Sequence, residues 1–253
     1  DNLIANQFIE DVFRSNRMIK VTRGGTPREK YTASKLLSTY LRDCVVSDRC
    51  SAWIAQRNGR SKDGKDMTEQ GLLKMFEMSG SGDFVNDFDA LSILPVSISY
   101  QFEPCDFLKA RELYITRRDG KYTKKPGEDT ESILIGIKQD KGHTSFDFSP
   151  EITRAEIEEC VKLDKNERFT ALASVIDQRI KSNYRLFDNS YIACDLLSGT
   201  DTHSDKYTPE AKGYFMTYME KGLSVIVEKE PDIDYNELRE IFLSIYANSL
   251  TCK

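Results

Sequence analysis

The sequence predicts an α/β fold that gives way to helices in its C-terminal half. Three patterns carry that prediction. Residues 52–76 read as a short apolar strand, a polar loop and an amphipathic helix in succession, residues 93–100 form the clearest strand, and beyond Pro150 every strong periodicity is helical.

Taken in order, residues 19–22 read as a short strand that the turn Gly24-Gly25-Thr26-Pro27 stops. Over 28–46, Leu36, Leu37, Tyr40, Leu41, Cys44 and Val45 recur at helical spacing while Lys30, Lys35 and Arg42 lie mostly elsewhere, which predicts an amphipathic helix packed on a sheet. The apolar run Ala52-Trp53-Ile54-Ala55 is that of a buried strand, and the polar loop 56–65 follows at its C-terminal end. Asp66 and Glu69, three apart ahead of Leu72, Leu73, Met75 and Phe76, read as an N-cap with its capping partner.

Residues 79–83, Ser-Gly-Ser-Gly-Asp, read as a flexible break, and the strand at 93–100 carries Pro95 near its start, where a missing N–H is tolerated. A helix is expected over 104–118, an exposed loop over 119–130, a short helix over 132–138 and a strand over 144–148. Helices follow at 153–163, 166–182, 209–229 and 234–248, with Pro231 separating the last two. The polar stretch 198–205 is the expected boundary between an α/β domain over 1–200 and a helical extension over 201–253.

Composition narrows the class. At 39 % hydrophobic and 30 % charged the chain is ordinary for a globular protein, and its longest apolar stretch, 91–102, falls short of the roughly 18 to 20 residues of a membrane-spanning helix. The opening Asp1-Asn2-Leu3-Ile4, with Glu10 soon after, is not the basic start and apolar block of a signal peptide. Six cysteines (Cys44, Cys50, Cys105, Cys160, Cys194, Cys252) form no C-x-x-C pair, so free thiols in a reducing compartment are expected, with neither disulfide nor zinc.

The net charge of −5 argues against a general nucleic-acid binder, yet it hides an asymmetry. Residues 14–65 hold 13 Lys and Arg against 4 Asp and Glu, and the remainder holds 23 against 37. Such a cationic island attracts phosphates or an anionic membrane surface.

Within the island, Arg57-Asn58-Gly59-Arg60-Ser61-Lys62-Asp63-Gly64-Lys65 sets four cations and two glycines between a predicted strand and a predicted helix. Glycines let backbone N–H groups approach an oxyanion, arginines grip phosphate bidentately, and a helix N-terminus adds a favourable dipole. A solvated surface turn is the plain alternative. Residues 59–65 also satisfy the G-x-x-x-x-G-K of a nucleotide-binding P-loop, but Asp66 stands where that loop needs a Ser or Thr hydroxyl for Mg²⁺.

In the order of three short blocks the chain resembles the glycerol-3-phosphate and lysophosphatidic acid acyltransferases, in their bacterial branch. Lys20-Val21-Thr22-Arg23 looks like the block whose arginine holds the acceptor's phosphate, with Arg23 at the matching position. Residues 55–64 are similar to the Glu-Gly-x-Arg-Ser loop through Gly59, Arg60, Ser61 and Lys62, with Arg57 or Asn58 where the family has glutamate. Leu94-Pro95-Val96-Ser97-Ile98-Ser99-Tyr100 is similar to the proline-containing apolar strand that lines the acyl-donor side.

The resemblance implies a mixed sheet flanked by helices and transfer of a fatty acyl group from acyl-CoA or acyl-carrier protein to a hydroxyl of glycerol-3-phosphate or a lysophospholipid. It implies a cytoplasmic protein peripheral at the inner face of the membrane, and neither cofactor, metal nor covalent intermediate is required. The family's remaining block, His-x-x-x-x-Asp, supplies the base. The chain's two histidines, His143 and His203, do not match it, so that block is expected upstream of Asp1. A non-catalytic module binding phospholipid or phosphoester through the same island is the rival reading.

Overall fold

The computed structural model describes residues 7–19, 21, 24–57, 59 and 61–251. In chain order its elements are α1 (Gln7–Ser15), α2 (Pro27–Arg42), a π-helical turn (Asp43–Ser47), α3 (Gln70–Glu77), α4 (Phe84–Asp89), β1 (Val96–Tyr100), α5 (Asp106–Asp119) and α6 (Glu128–Lys138). They continue with β2 (Thr144–Phe148), α7 (Arg154–Cys160), α8 (Glu167–Asn183), α9 (Asp188–Ser198), a 3-10 turn (Ser204–Lys206), α10 (Pro209–Lys229) and α11 (Tyr235–Thr251). The chain divides into two compact units, one of residues up to 59, 67–95 and 149–179, the other of 60–66, 96–148 and 180 onward.

In the first unit α2 opens on a reciprocal cap. Thr26 Oγ1 accepts from Glu29 N at 3.3 Å, the Glu29 carboxylate accepts from Thr26 N at 2.6 Å, and Pro27 enters the first turn with φ already suited to a helix. Arg42 then fastens the far end of α2 by donating to Asp87 O at 2.9 Å and Phe76 O at 3.0 Å. Phe84 and Phe88 of α4 and Phe169 of α8 fill the core as a buried trio with centroids 4.6 to 6.5 Å apart.

Three expectations fail here for physical reasons. Residues 79–83 are not a flexible break, because the buried Asp87 carboxylate accepts from Ser81 N at 2.8 Å and Gly82 N at 3.0 Å and ties the turn to α4. Asp66 is not the N-cap of α3: Glu69 takes that position with no side-chain capping bond, while Thr68 donates both N–H and hydroxyl to Asp177 Oδ1, at 2.8 and 2.6 Å. Residues 52–55 are irregular, with Trp53 67 % exposed, so the apolar run there pairs with no strand among the described residues. In the segment 19–22, Lys20 and Thr22 lie outside the described residues, and Ile19 and Val21 adopt no regular structure.

The second unit holds β1 and β2, paired antiparallel in the register Val96↔Phe148, Ile98↔Phe146 and Tyr100↔Thr144. Among the described residues this pair is the whole sheet, so the structure is α/β in a broad sense, mostly helical, with two antiparallel strands where a mixed sheet is expected. Its faces are inverted from the usual polar-out pattern. Alternation buries Ser97 and Ser99, whose hydroxyls bond Ile180 O at 2.5 Å and Arg185 N at 2.9 Å, while the opposite face carries Val96, Ile98, Tyr100 and the exposed Phe146 and Phe148.

Helices α5, α9, α10 and α11 share one core of this unit, in which Phe215, Met219, Leu223, Leu238, Phe242 and Leu243 are fully buried. The helices after residue 201 therefore pack on α5 and α9. The stretch 198–205 is strapped as well: buried Asp195 accepts from His203 N at 3.0 Å and Tyr207 Oη at 2.8 Å and faces His203 Nδ1 at 2.8 Å. Among the described residues, no helix is long and apolar enough to cross a membrane.

Candidate functional site

Of the residues the sequence singles out, Arg23, Asn58 and Arg60 lie outside the described residues. Arg57, Gly59 and Pro95 belong to the first unit, Ser61 and Lys62 to the second. In the first unit Gln56 O accepts from Glu69 N at 2.9 Å, which closes the ends of the loop that contains the cationic motif. Gly59 has φ +81°, a left-handed conformation that glycine adopts without strain. Pro95 is buried ahead of β1 and its carbonyl accepts from Ser149 N at 2.9 Å, so in this unit it is a packing and anchoring residue.

The described remainder of the loop, 61–66, is seated in the second unit. Gly64 has φ +73°, and a Cβ there would lie 2.6 Å from Ile245 O, so the backbone rests directly on α11 at a spot only glycine fits. Asn248 Nδ2 donates to Asp63 O at 2.7 Å from the same helix, and Asp63 Oδ1 accepts from Lys65 N at 3.1 Å. Gly64→Ala is therefore expected to cost about 1 to 3 kcal/mol of stability, read from urea unfolding, because it adds both backbone strain and a clash with main chain.

The cation expected at Lys62 is committed. Its ammonium forms an ion pair with Glu112 of α5, whose carboxylate is largely buried. An anion arriving at Lys62 must share it with Glu112, which changes the expected role from free phosphate grip to a neutralised anchor of the loop. Lys65 is exposed and forms no ion pair among the described residues, so it remains open to an anion. Lys62 also stands on the lining of a half-open cavity of about 840 Å³ between α5, α6, α10 and the connection 120–127.

Beside that cavity lies a polar cluster that the sequence did not reveal. Asp106, the first residue of α5, is fully buried and accepts from Tyr246 Oη at 2.6 Å, Tyr218 Oη at 2.9 Å, Phe107 N at 2.9 Å and Gln139 Nε2 at 3.2 Å. Burial pushes its carboxyl up to about 6 against the pull of these donors, and burial likewise raises both phenols. An acid in the first turn of a helix reads as an exposed dipole partner, so sequence offered no signal that this one is internal.

The second titratable cluster is His203 with Asp195. Burial drives the Asp195 carboxyl up, but the hydrogen bonds from His203 and Tyr207 outweigh it and hold the group below the usual carboxylate range. Because the same carboxylate also binds backbone and phenol, the pair serves to fix the connection between α9 and α10. Among the described residues no group of three or more His, Cys, Asp or Glu is arranged to hold a metal ion. Compared with known proteins, the chain matches no family model, no curated protein and no solved structure.

Proposed function

We propose that the chain is the substrate-binding part of a glycerolipid O-acyltransferase, which moves a fatty acyl group from acyl-CoA or acyl-carrier protein to a hydroxyl of glycerol-3-phosphate or a lysophospholipid. The observation that carries the reading is the loop 57–65, which combines cations with two glycines in left-handed conformations, one of them seated against α11 where no side chain fits. A backbone held in this way is what a binding loop needs, and it supports the reading. The order of Arg23, this loop and Pro95 along the chain supports the same reading.

On this proposal Arg23 and Arg60 hold the acceptor's phosphate so that a hydroxyl meets the thioester carbonyl, and Arg57, Asn58, Gly59 and Ser61 shape the loop around it. Proximity and phosphate binding are what these residues supply. The reading requires a base, in the family the histidine of a His-x-x-x-x-Asp block that its aspartate orients. On this reading the protein works at the cytoplasmic membrane surface without metal or cofactor.

The chain's only histidines, His143 and His203, favour a second reading: a module that binds phosphoesters and transfers nothing. Calorimetric titration tests what the two readings share. Glycerol-3-phosphate is expected to bind saturably, glycerol not at all, and inorganic phosphate more weakly; equal heats from all three would overturn the loop's assignment.

A further inference from the structure

The cavity in the second unit has a composition that points to its own ligand. Its volume, about 840 Å³, lies within the range of small-molecule sites. Phe107, Leu108 and Ile135 form apolar wall on α5 and α6, and Val225 and Ile226 continue it on α10. This wall is rigid. The Phe107 ring stacks on Phe242 at 5.0 Å and lies so close to Gly222 that a Cβ there would fall 2.1 Å from the ring, so α10 presents bare backbone at its closest approach.

Charge around that wall is unbalanced. Seven cationic side chains line the cavity against five carboxylates. Four of the cations are neutralised in place: Lys62 by Glu112, Lys109 by Glu103, Arg111 by Glu230 and Lys124 by Asp129. Of the lining carboxylates outside these pairs, Glu128 accepts from Tyr122 Oη at 2.7 Å and Lys125 N at 3.0 Å, and Glu131 has no side-chain bond among the described residues. Lys125, Lys221 and Lys229 stand without an ion pair among the described residues. On α10 Lys221, Val225 and Lys229 follow at four-residue spacing, so one helix face offers an apolar centre flanked by two lysines whose backbone positions lie about 12 Å apart along the axis.

An apolar wall bordered by unneutralised cations is complementary to a molecule with hydrocarbon at one end and negative charge at the other. Outside the cavity the same helix α6 leaves Leu134 and Ile137 exposed, which carries apolar surface from Ile135 outward. We propose that the cavity between α5, α6 and α10 binds a single amphiphile, a hydrocarbon chain ending in a carboxylate or phosphate head. The chain lies against Phe107, Leu108, Ile135, Val225 and Ile226, and the head is met by Lys125, Lys221 and Lys229. This site does not rest on the acyltransferase reading, because its occupation requires neither acceptor nor transfer.

A fluorescent polyene fatty acid, titrated into the protein below its micelle concentration, tests the site. One saturable site is expected. Oleate and oleoyl lysophosphatidate should both displace the probe, and whichever does so at lower concentration identifies the preferred head; oleyl alcohol should be about tenfold weaker or worse, since it keeps the chain and lacks the charge. Val225→Trp, at a half-exposed position, fills the cavity and should weaken the probe at least tenfold with an unchanged thermal midpoint. The surface pair Lys221→Gln with Lys229→Gln should keep the fold and bring oleate down toward oleyl alcohol. Absence of a saturable site overturns the proposal, as does alcohol binding as tightly as oleate, or full affinity in the double-glutamine variant.

Discussion

Asp106→Ala is expected to destabilise the second unit by about 3 to 5 kcal/mol in denaturant unfolding, a large fraction of a typical domain's stability. The carboxylate is the common acceptor for the Tyr246 and Tyr218 hydroxyls, Tyr246 buried and Tyr218 half-buried on the cavity lining. Truncation strands the buried Tyr246 donor at about 1 to 3 kcal/mol, with a smaller cost at the half-buried Tyr218, and the space left beside Phe107 adds a cavity penalty. Asp106→Asn keeps an acceptor for Phe107 N and Gln139 and an amide that donates to a phenol oxygen, so it should cost far less.

The same group gives the second unit a pH dependence of defined sign. The folded pKa of about 6 lies above the ordinary value of 3.8, so the folded protein holds a proton that the unfolded chain releases. That contribution is fully present below about pH 4 and is lost as pH rises to about 6, on the order of 2 to 3 kcal/mol in all. Asp106→Asn should flatten the stability profile across this window. A profile that declines equally in both proteins would assign the effect to other groups.

Arg60→Ala is expected to raise the KM for glycerol-3-phosphate about tenfold to a hundredfold while leaving the donor's KM unchanged. The magnitude follows from the loss of a charge-assisted phosphate contact, about 1.5 to 3 kcal/mol. Selectivity between the two substrates is the informative part, because a variant that merely loosened the loop would affect both. Arg60→Lys keeps the charge without the bidentate fork and should fall between the two. Unchanged acceptor kinetics in Arg60→Ala would remove the loop from the acceptor site.

How far the sequence was legible follows from what each signal measures. The strand at 144–148 and the helix at 209–229 coincide with β2 and α10, the first through its alternation and the second through Thr208 at the cap, Pro209 in the first turn and a core-facing stripe. Helix α9 went unread because its buried face includes Asn189, Ser190 and Asp195, which a hydrophobic periodicity cannot register. The apolar run at 52–55 misled for the opposite reason, since hydrophobicity reports a preference for cover and not the presence of a partner strand.

The same distinction runs through the candidate site. Gly59 and Gly64 were legible as loop glycines, and both take left-handed conformations. The partners that set their neighbours were not: Glu112 meets Lys62 from 50 positions away and Asn248 meets Asp63 from 185, and each looks like ordinary helix surface in the sequence. Lys62 therefore changed from a free cation to a paired one. Pro95, expected in the same site, has a carbonyl that accepts from Ser149 N.

The central claim is acyl transfer to a phosphorylated glycerol, and release of free thiol from acyl-CoA measures it most directly. On the proposed reading, a form of the protein that includes a His-x-x-x-x-Asp block should release thiol at a rate that depends on glycerol-3-phosphate or a lysophospholipid, stays at background with glycerol, and falls on Arg60→Ala. Thiol release that ignores the acceptor, or none with any phosphorylated acceptor under conditions where glycerol-3-phosphate binds, would contradict the account.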